Sequence, residues 1–432
     1  MRGFSWRGEG TKERMEPDGT AAQEWRQNWP VVVAAMMGMA ISTAYIYSIG
    51  IMIAPLETQF GWSRSQISSG PTIAAFFAVT LSPFVGRAID RFGPRRIGLF
   101  GAMSYSAALA LLGTATGNIW SWWGLWVLLA LVVSFVKATV WTAAVSSLFS
   151  TSRGLALALV LCGTGIGSSL VPLTTYYLTD IYGWRVGYLG LGGLCALSTV
   201  PLLFLFFTSA SDLRRRSGCK GEAGAPKPVM AGVDRRRALL TPTFIKLGLA
   251  AFITTLVSMG TGANMVPILT FGGLPRETAA WIAAASGICA IGGRLAGGLL
   301  LDRIDGNLVA GGCLVISTLS YLLLALVPGS AGIALVAVIL LGVTLGVEFD
   351  AVAYLVGRHF GLANFGLLFG TIAGLLALAG GTAPLITNFF YDLTQSYYPV
   401  LWSFVPLSLF CALVFFSVGP NPPLKLVEKT GI

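Results

Sequence analysis

Four ionisable residues stand inside otherwise apolar stretches: Lys137 in LVVSFVKATVWT, Arg294 in AIGGRLAGG, and Glu348 and Asp350 in TLGVEFDAVAY. A charge at the centre of a bilayer costs at least about 2.5 to 3.5 kcal/mol on insertion scales, so such groups face a partner or a water-filled cavity. The cations can attract an anion, and a buried acid can load and release a proton. Glu348 and Asp350 are two residues apart, roughly 200° around a helix, so they cannot share a face. One is expected to point into a central cavity and the other toward Arg294. Asp350 is favoured for the cavity, since Tyr354 lies one turn on and Gly346 opens its face. The plainer alternatives are that Lys137 snorkels to an interface and that an acid–base pair merely holds helices together. Against snorkelling, a lysine stem of roughly 6 Å is short for reaching headgroups from mid-membrane depth.

The elements that must position these residues follow from composition. Of 432 residues, 55% are hydrophobic and 11% charged, and the mean hydropathy is +0.76. Those values exclude an ordinary soluble domain and indicate an integral membrane protein. A span needs about 20 apolar residues, and twelve such runs occur, near 29–54, 65–88, 96–115, 120–148, 154–178, 185–208, 244–269, 277–300, 307–327, 331–356, 364–390 and 398–418. They are continuously apolar rather than alternating, which predicts helices and not barrel strands. The polar start, MRGFSWRGEGTKERMEPDGTAAQEWRQ, lacks the pattern of a cleavable signal peptide.

With a cytoplasmic N-terminus, 23 of the 28 lysines and arginines fall in inside segments, and only Arg64, Arg185 and Arg276 fall outside. Both termini are therefore expected in the cytoplasm, with the plasma membrane as location (the inner membrane, if bacterial). The net charge of +10 tracks topology rather than nucleic-acid binding. The RRR runs at 214–216 and 235–237 suit anionic lipid headgroups. Six cysteines without a CxxC pattern suggest neither a disulfide framework nor a metal site. No nucleotide-binding loop or nucleophile–base pair is found, so no cofactor and no enzymatic reaction is expected. His359, in the loop after the tenth span, is given no catalytic role.

The chain divides into a tail (1–28), a six-span bundle (29–208), a Gly/Pro/Arg-rich linker (209–243), a second bundle (244–418) and a second tail (419–432). GRAIDR at 86–91 recurs as GLLLDR at 298–303, an offset of 212, and the pairs Gly163/Gly167 and Gly370/Gly374 correspond more weakly. Counted from the start of each even-numbered span, Lys137, Arg294, Glu348 and Asp350 lie at similar depth. The offset sets Lys137 opposite 349 of the tenth span.

Twelve helices in two repeated halves, with GRAIDRFGPRR between the second and third spans, resemble the major facilitator superfamily and its G-x3-D-R-x-G-R-R signature. Gly86, Asp90, Arg91, Gly93, Arg95 and Arg96 fill that pattern, with Pro94 inserted. GWSRSQIS, RGLALALVLCGTGIG, YGWR and EFDAVAYLVGRHFG resemble the branch of monocarboxylate porters and oxalate:formate exchangers. Arg294 is similar to that branch's substrate-associated arginine. The branch's preceding carboxylate is replaced by Ala290, and the first span has no lysine.

The resemblance implies an all-α membrane protein, with twelve transmembrane helices in two pseudo-symmetric six-helix bundles and a midplane site lined by the first, fourth, seventh and tenth spans. Lys137, Arg294, Trp141, Tyr45 and Asn264 are the expected substrate residues, and Asp350 and Glu348 the proton-coupling ones. Thr254, Ser258 and Thr261 form a polar stripe toward the same space, and the small-xxx-small pairs suit tight helix packing. Gly86, Asp90, Arg91, Arg95 and Arg96, with Asp302 and Arg303 as the weaker copy, are implied to clamp the halves on the cytoplasmic side in the outward-facing state. The expected function is alternating-access transport of a small organic anion, a carboxylate above all, coupled to protons or by exchange. Export of amphipathic or cationic compounds, and a membrane sensor that transports nothing, are the alternatives. A monomer is the favoured state.

Overall fold

The computed structural model describes residues 21–210, 212, 239–361 and 365–419. The expectations for both RRR runs, most of the linker and nearly all of the second tail lie outside the described residues. The first span is made of α1 (Ala21–Ile41) and α2 (Ala44–Phe60), followed by α3 (Arg64–Phe92) and α4 (Pro94–Leu111). The fourth is α5 (Ile119–Val133) with α6 (Ala138–Leu148), and α7 runs over Arg153–Phe206. The second half comprises α8 (Pro242–Ala263) with α9 (Met265–Phe271), α10 (Arg276–Leu301), α11 (Gly306–Leu326), α12 (Ala331–Phe360), α13 (Phe365–Thr394) and α14 (Tyr398–Phe416). No β-strand occurs among the described residues. The 54 residues of α7 are two crossings, because Gly183 (φ 82°, ψ 163°) turns the chain within YGWR in a conformation open to glycine. Among the described residues, eleven helical segments are long and apolar enough to cross a membrane, and the turn at Gly183 makes twelve crossings of them. Helix α1 begins eight residues before the expected first span, within the stretch read as tail.

Helices α1, α4 and α7 pack together, as do α3 and α5. In the second half α10 packs on α12, α11 on α12 and α14, and α8 on α13. The halves meet where α3 lies on α13 and α7 on α10. Twelve crossings put the start of α1 and the end of α14 on one side, called here the tail face; the opposite side is the far face.

Three spans expected as single helices are broken, the first and fourth near mid-depth and the seventh nearer the far face. In the first, the hydroxyls of Ser42 and Thr43 bond back to the carbonyls of Met39 and Ala40 at 2.6 and 2.8 Å, which bends a helix. In the fourth, the β-branched run from Val132 to Val140 is a poor helix former. There α5 tightens into a 3-10 turn at Ser134–Val136, and Lys137 is extended (φ −74°, ψ 163°). In the seventh, Pro267 has no N–H for the carbonyl of Ala263 four residues back, and the helix breaks at Asn264. A Cβ on Gly50 of α2 would lie 2.2 Å from that freed carbonyl, so only a glycine backbone fits against it.

Close approach is also seen where the small residues predicted it. Added Cβ atoms on Gly163 and Gly167 would meet carbonyls of α1 at 2.2 and 2.3 Å. Gly346 and Gly342 lie equally close to carbonyls of α10. Gly370 and Gly374 differ: both look onto open space. The reason lies in how the halves meet. Between α3 and α13, hydrogen bonds and close contacts run from Arg64 to Ala75, toward the far face. Toward the tail face, Gly86 has nothing within 4 Å of an added Cβ. The central space therefore opens toward the tail face.

Candidate functional site

The break in the fourth span puts Lys137 at the N-cap of α6. Its ammonium donates to the Tyr45 hydroxyl at 3.1 Å and lies 5.0 Å from the ring centroid. Among the described residues, no acid lies within 4.0 Å of it. Tyr45 is itself held by its backbone N–H, which donates to the Tyr105 hydroxyl at 3.1 Å, and by an edge contact with Trp126. The structure thus brings Lys137 and Tyr45 together.

Trp141 does not join them. Only a continuous helix would set residue 141 one turn beyond Lys137 on the same face, and the extended residue at 137 removes that periodicity. Trp141 is fully buried, packs against Phe207, and approaches Gly38 and Gly98 closely. Its indole N–H donates to the Val136 carbonyl at 2.8 Å, replacing a bond lost at the break. Its position is that of a packing residue within the N-terminal bundle.

In the second half Asp350, favoured for the cavity, is instead the acid that takes Arg294. Asp350 accepts from Nε of Arg294 at 3.0 Å, with the side chains 27% and 10% exposed, respectively. Arg294 also donates across the halves, to the Leu161 carbonyl and to Thr164. Glu348 faces α8, accepting from Thr255 at 3.1 Å and Ser258 at 2.9 Å. Among the described residues no cation lies within 4.0 Å of Glu348. The Tyr47 ring of the first span packs against Gly262 of α8, 3.7 Å from where a Cβ there would lie, so an aromatic of one half meets the helix that holds Glu348 from the other. A small cavity lined by Thr254, Cys313, Ser317 and Thr344 adjoins Glu348.

Of the polar stripe, only Ser258 reaches Glu348; Thr254 and Thr261 bond back to their own helix. Thr255 and Tyr47 were not singled out in the sequence. Thr255 lies three residues from Ser258, one helical turn, which was the available signal.

Asn264 is likewise not at the central site. Fully buried at the break in the seventh span, it accepts from Asn388 at 2.7 Å. Asn388 also donates to Ser68 at 2.7 Å and accepts from Tyr397 at 2.9 Å, and Tyr397 accepts from Arg64 at 3.1 Å. Arg64 pairs in turn with Glu57 at 3.1 Å. This chain crosses between the halves near the far face, joined by Arg276, which donates to the Ile51 carbonyl at 2.7 Å.

The signature loop lies at the open tail face. Asp90, Arg91 and Arg96 are exposed, as are Asp302 and Arg303. Arg95 donates to the Phe204 carbonyl of its own half at 2.6 Å. Gly93, with φ 86°, ends α3 and begins α4 at a turn that favours glycine. Among the described residues no ion pair within 4.0 Å joins the two halves.

The sequence profile of the Major Facilitator Superfamily matches residues 32–276 and 247–431. An "MFS-type transporter" of Gibberella moniliformis is 26% identical over 90% of this chain and 89% of its own length. "Multidrug resistance protein MdtG" of Dickeya zeae is 26% identical over 85% and 89%, and mouse (Mus musculus) "Monocarboxylate transporter 11" is 28% identical over 67% and 62%. Among solved structures, the D-xylose–proton symporter superimposes with a TM-score of 0.71 at 13% identity, covering 91% of this chain and 98% of its own. A bacterial homologue of the human lysosomal transporter Spinster, inward-facing and unoccupied, gives 0.68 at 14%, covering 94% and 100%. With its twelve crossings and its signature loop, this integral membrane protein belongs to the major facilitator superfamily.

Proposed function

We propose that this protein is a secondary transporter of a small organic anion, a carboxylate in particular, and that it works by alternating access with proton coupling or anion exchange. Bundles 29–208 and 244–418 rock around the central space, with both termini in the cytoplasm of a cell bounded by the plasma membrane; the tail face is then cytoplasmic. The observation that carries the reading is Lys137, a mid-membrane cation whose partner is a phenol rather than an acid. Its ammonium stands beside the start of α6, where the helix dipole is positive and no side chain caps the end. Both features favour a bound anion. Arg294 is a second cation that a substrate reaches by competing with Asp350. Glu348 is the proton carrier of choice, because two hydroxyls hold it and, among the described residues, no cation lies within 4.0 Å of it. Asp90, Arg91, Arg95 and Arg96, with Gly86, Asp302 and Arg303, close the tail face in the opposite conformation.

Uptake of radiolabelled small carboxylates into proteoliposomes, at varied internal and external pH, tests this. Flux that follows carboxylate concentration and a pH step is expected; if neither drives flux, the organic-anion reading is wrong. One observation favours a second reading, export of cationic or amphipathic compounds by proton antiport: Glu348 is an acid without a cationic partner, and a multidrug resistance protein is among the relatives. Proton release from loaded vesicles on adding a cationic substrate, with no response to carboxylates, would establish it.

A further inference from the structure

We infer that Asp392 is a latch on the far face, acting on the N-terminus of α3, so that the α3–α13 pair carries one acid for each end. The inference rests on the alternating-access reading above. A helix begins with backbone N–H groups that have no partner within the helix and carry partial positive charge. At the start of α3, Ser63 and Gln66 form a capping box within their own half. Two further N–H groups, of Arg64 and Ser65, donate to Oδ1 and Oδ2 of Asp392 at 3.1 and 2.9 Å. The carboxylate sits in the last turn of α13 and belongs to the other half. Its two bonds exist only while the far face is closed. The guanidinium of Arg64 reinforces them, stacking 3.8 Å from the Tyr391 ring centroid and donating to Tyr397.

The register of the two helices extends the argument to the other end. Arg64 faces Asp392, Ser68 faces Asn388, and Ala75 faces Gly381. From pair to pair the two residue numbers move by equal and opposite steps, as a straight antiparallel packing requires. Carried toward the tail face, the same register sets Gly86 against Gly370 and Asp90 against Gly366, in the first turn of α13. Gly86, Gly366 and Gly370 all look onto open space. The pair is therefore shut at Asp392 and parted at Asp90. The family resemblance already implies that Asp90 helps to clamp the halves at the tail end. Asp392 is its counterpart at the other end of the same helix pair, and it is the acid engaged in this conformation.

The test uses the full chain with native cysteines replaced and spin labels in two pairs. Thr58 and Thr394 report the far face; Phe92 and Leu367, both exposed, report the tail face. Asp392→Asn keeps the shape and removes the charge, and Asp392→Ala removes the acceptor. Each is expected to lengthen the far-face distance in part of the population and shorten the tail-face distance in the same part. The ratio of far-open to far-closed molecules should rise roughly five- to tenfold, the scale of losing a charged helix cap. A wedge, Gly50→Trp, serves as control, since any side chain there strikes the Ala263 carbonyl. If the wedge moves both label pairs and the Asp392 variants move neither, the latch is overturned. Should the wedge open the far face without closing the tail face, the alternating-access reading fails instead, and the latch with it. A lowered melting temperature with unchanged distances also overturns the latch, because it marks a purely structural cap.

Discussion

The middle of the membrane is built differently in the two halves, although the repeat puts charge at equivalent places in both. In the C-terminal half, α12 passes unbroken through Glu348 and Asp350, each acid has defined partners, and Arg294 is neutralised by Asp350. In the N-terminal half the equivalent span breaks at its charge, and the Lys137 ammonium donates to a phenol. An intact helix uses its N–H and C=O groups on itself and offers only side chains, whereas a broken one frees backbone groups at its new ends. Duplication has kept the position of the charge and changed what surrounds it: one half pairs a cation with an acid and holds a second acid with hydroxyls, and the other sets a cation against a phenol.

The comparison can be broken most directly at its two cations. Lys137→Ala is expected to weaken carboxylate binding by over a hundredfold, on the scale of about 3 kcal/mol for removing one partner of a desolvated charge pair. Thermal stability should hold or rise, because an uncompensated charge is gone. Binding and melting measured on the same preparation check this, and parent-like affinity would sink the role given to Lys137. Asp350→Ala should do the opposite to stability. It strands Arg294, and a loss of about 2 to 3 kcal/mol is expected on melting in detergent, largely recovered when Arg294 is replaced by Met as well.

Smaller effects sharpen the contrast. Glu348→Gln is expected to abolish accumulation driven by a pH gradient while leaving carboxylate counterflow within about threefold of the parent, since only the proton load is lost. Equal loss of both would place Glu348 in the substrate site instead. Tyr45→Phe removes one hydroxyl and should weaken substrate affinity up to about tenfold, near 1 kcal/mol. Trp141→Phe should cost about 1 kcal/mol of stability by exposing the Val136 carbonyl, with affinity unchanged.

Apolar runs announce spans, and the twelve crossings, the duplication and the family were legible at the level of letters. The central charges were legible as well, since lysine and acids in hydrocarbon demand an account wherever they stand. The partners were less so. Which acid takes Arg294 depends on rotation between α10 and α12, and Asp350 and Glu348, roughly 200° apart on α12, lie on two faces between which no spacing rule chooses. Trp141 lies apart from Lys137 because the fourth span breaks at that lysine, and Asn264 sits at the break of the seventh span among the far-face hydrogen bonds. Asp392 and Asn388 act between halves more than 300 residues apart in sequence, and nothing local marks them.

The bend at Lys137 carries one last implication, for energy spent per cycle. With the Val136 carbonyl already held by the Trp141 indole and the Phe135 carbonyl packed on Gly101, the kink is a finished piece of architecture. A straight helix that had to unwind to receive each substrate would lose those bonds, and the ordering entropy with them, in every turnover. Here that cost is met once, during folding, and on the proposed function each arriving anion finds its receptor preorganised.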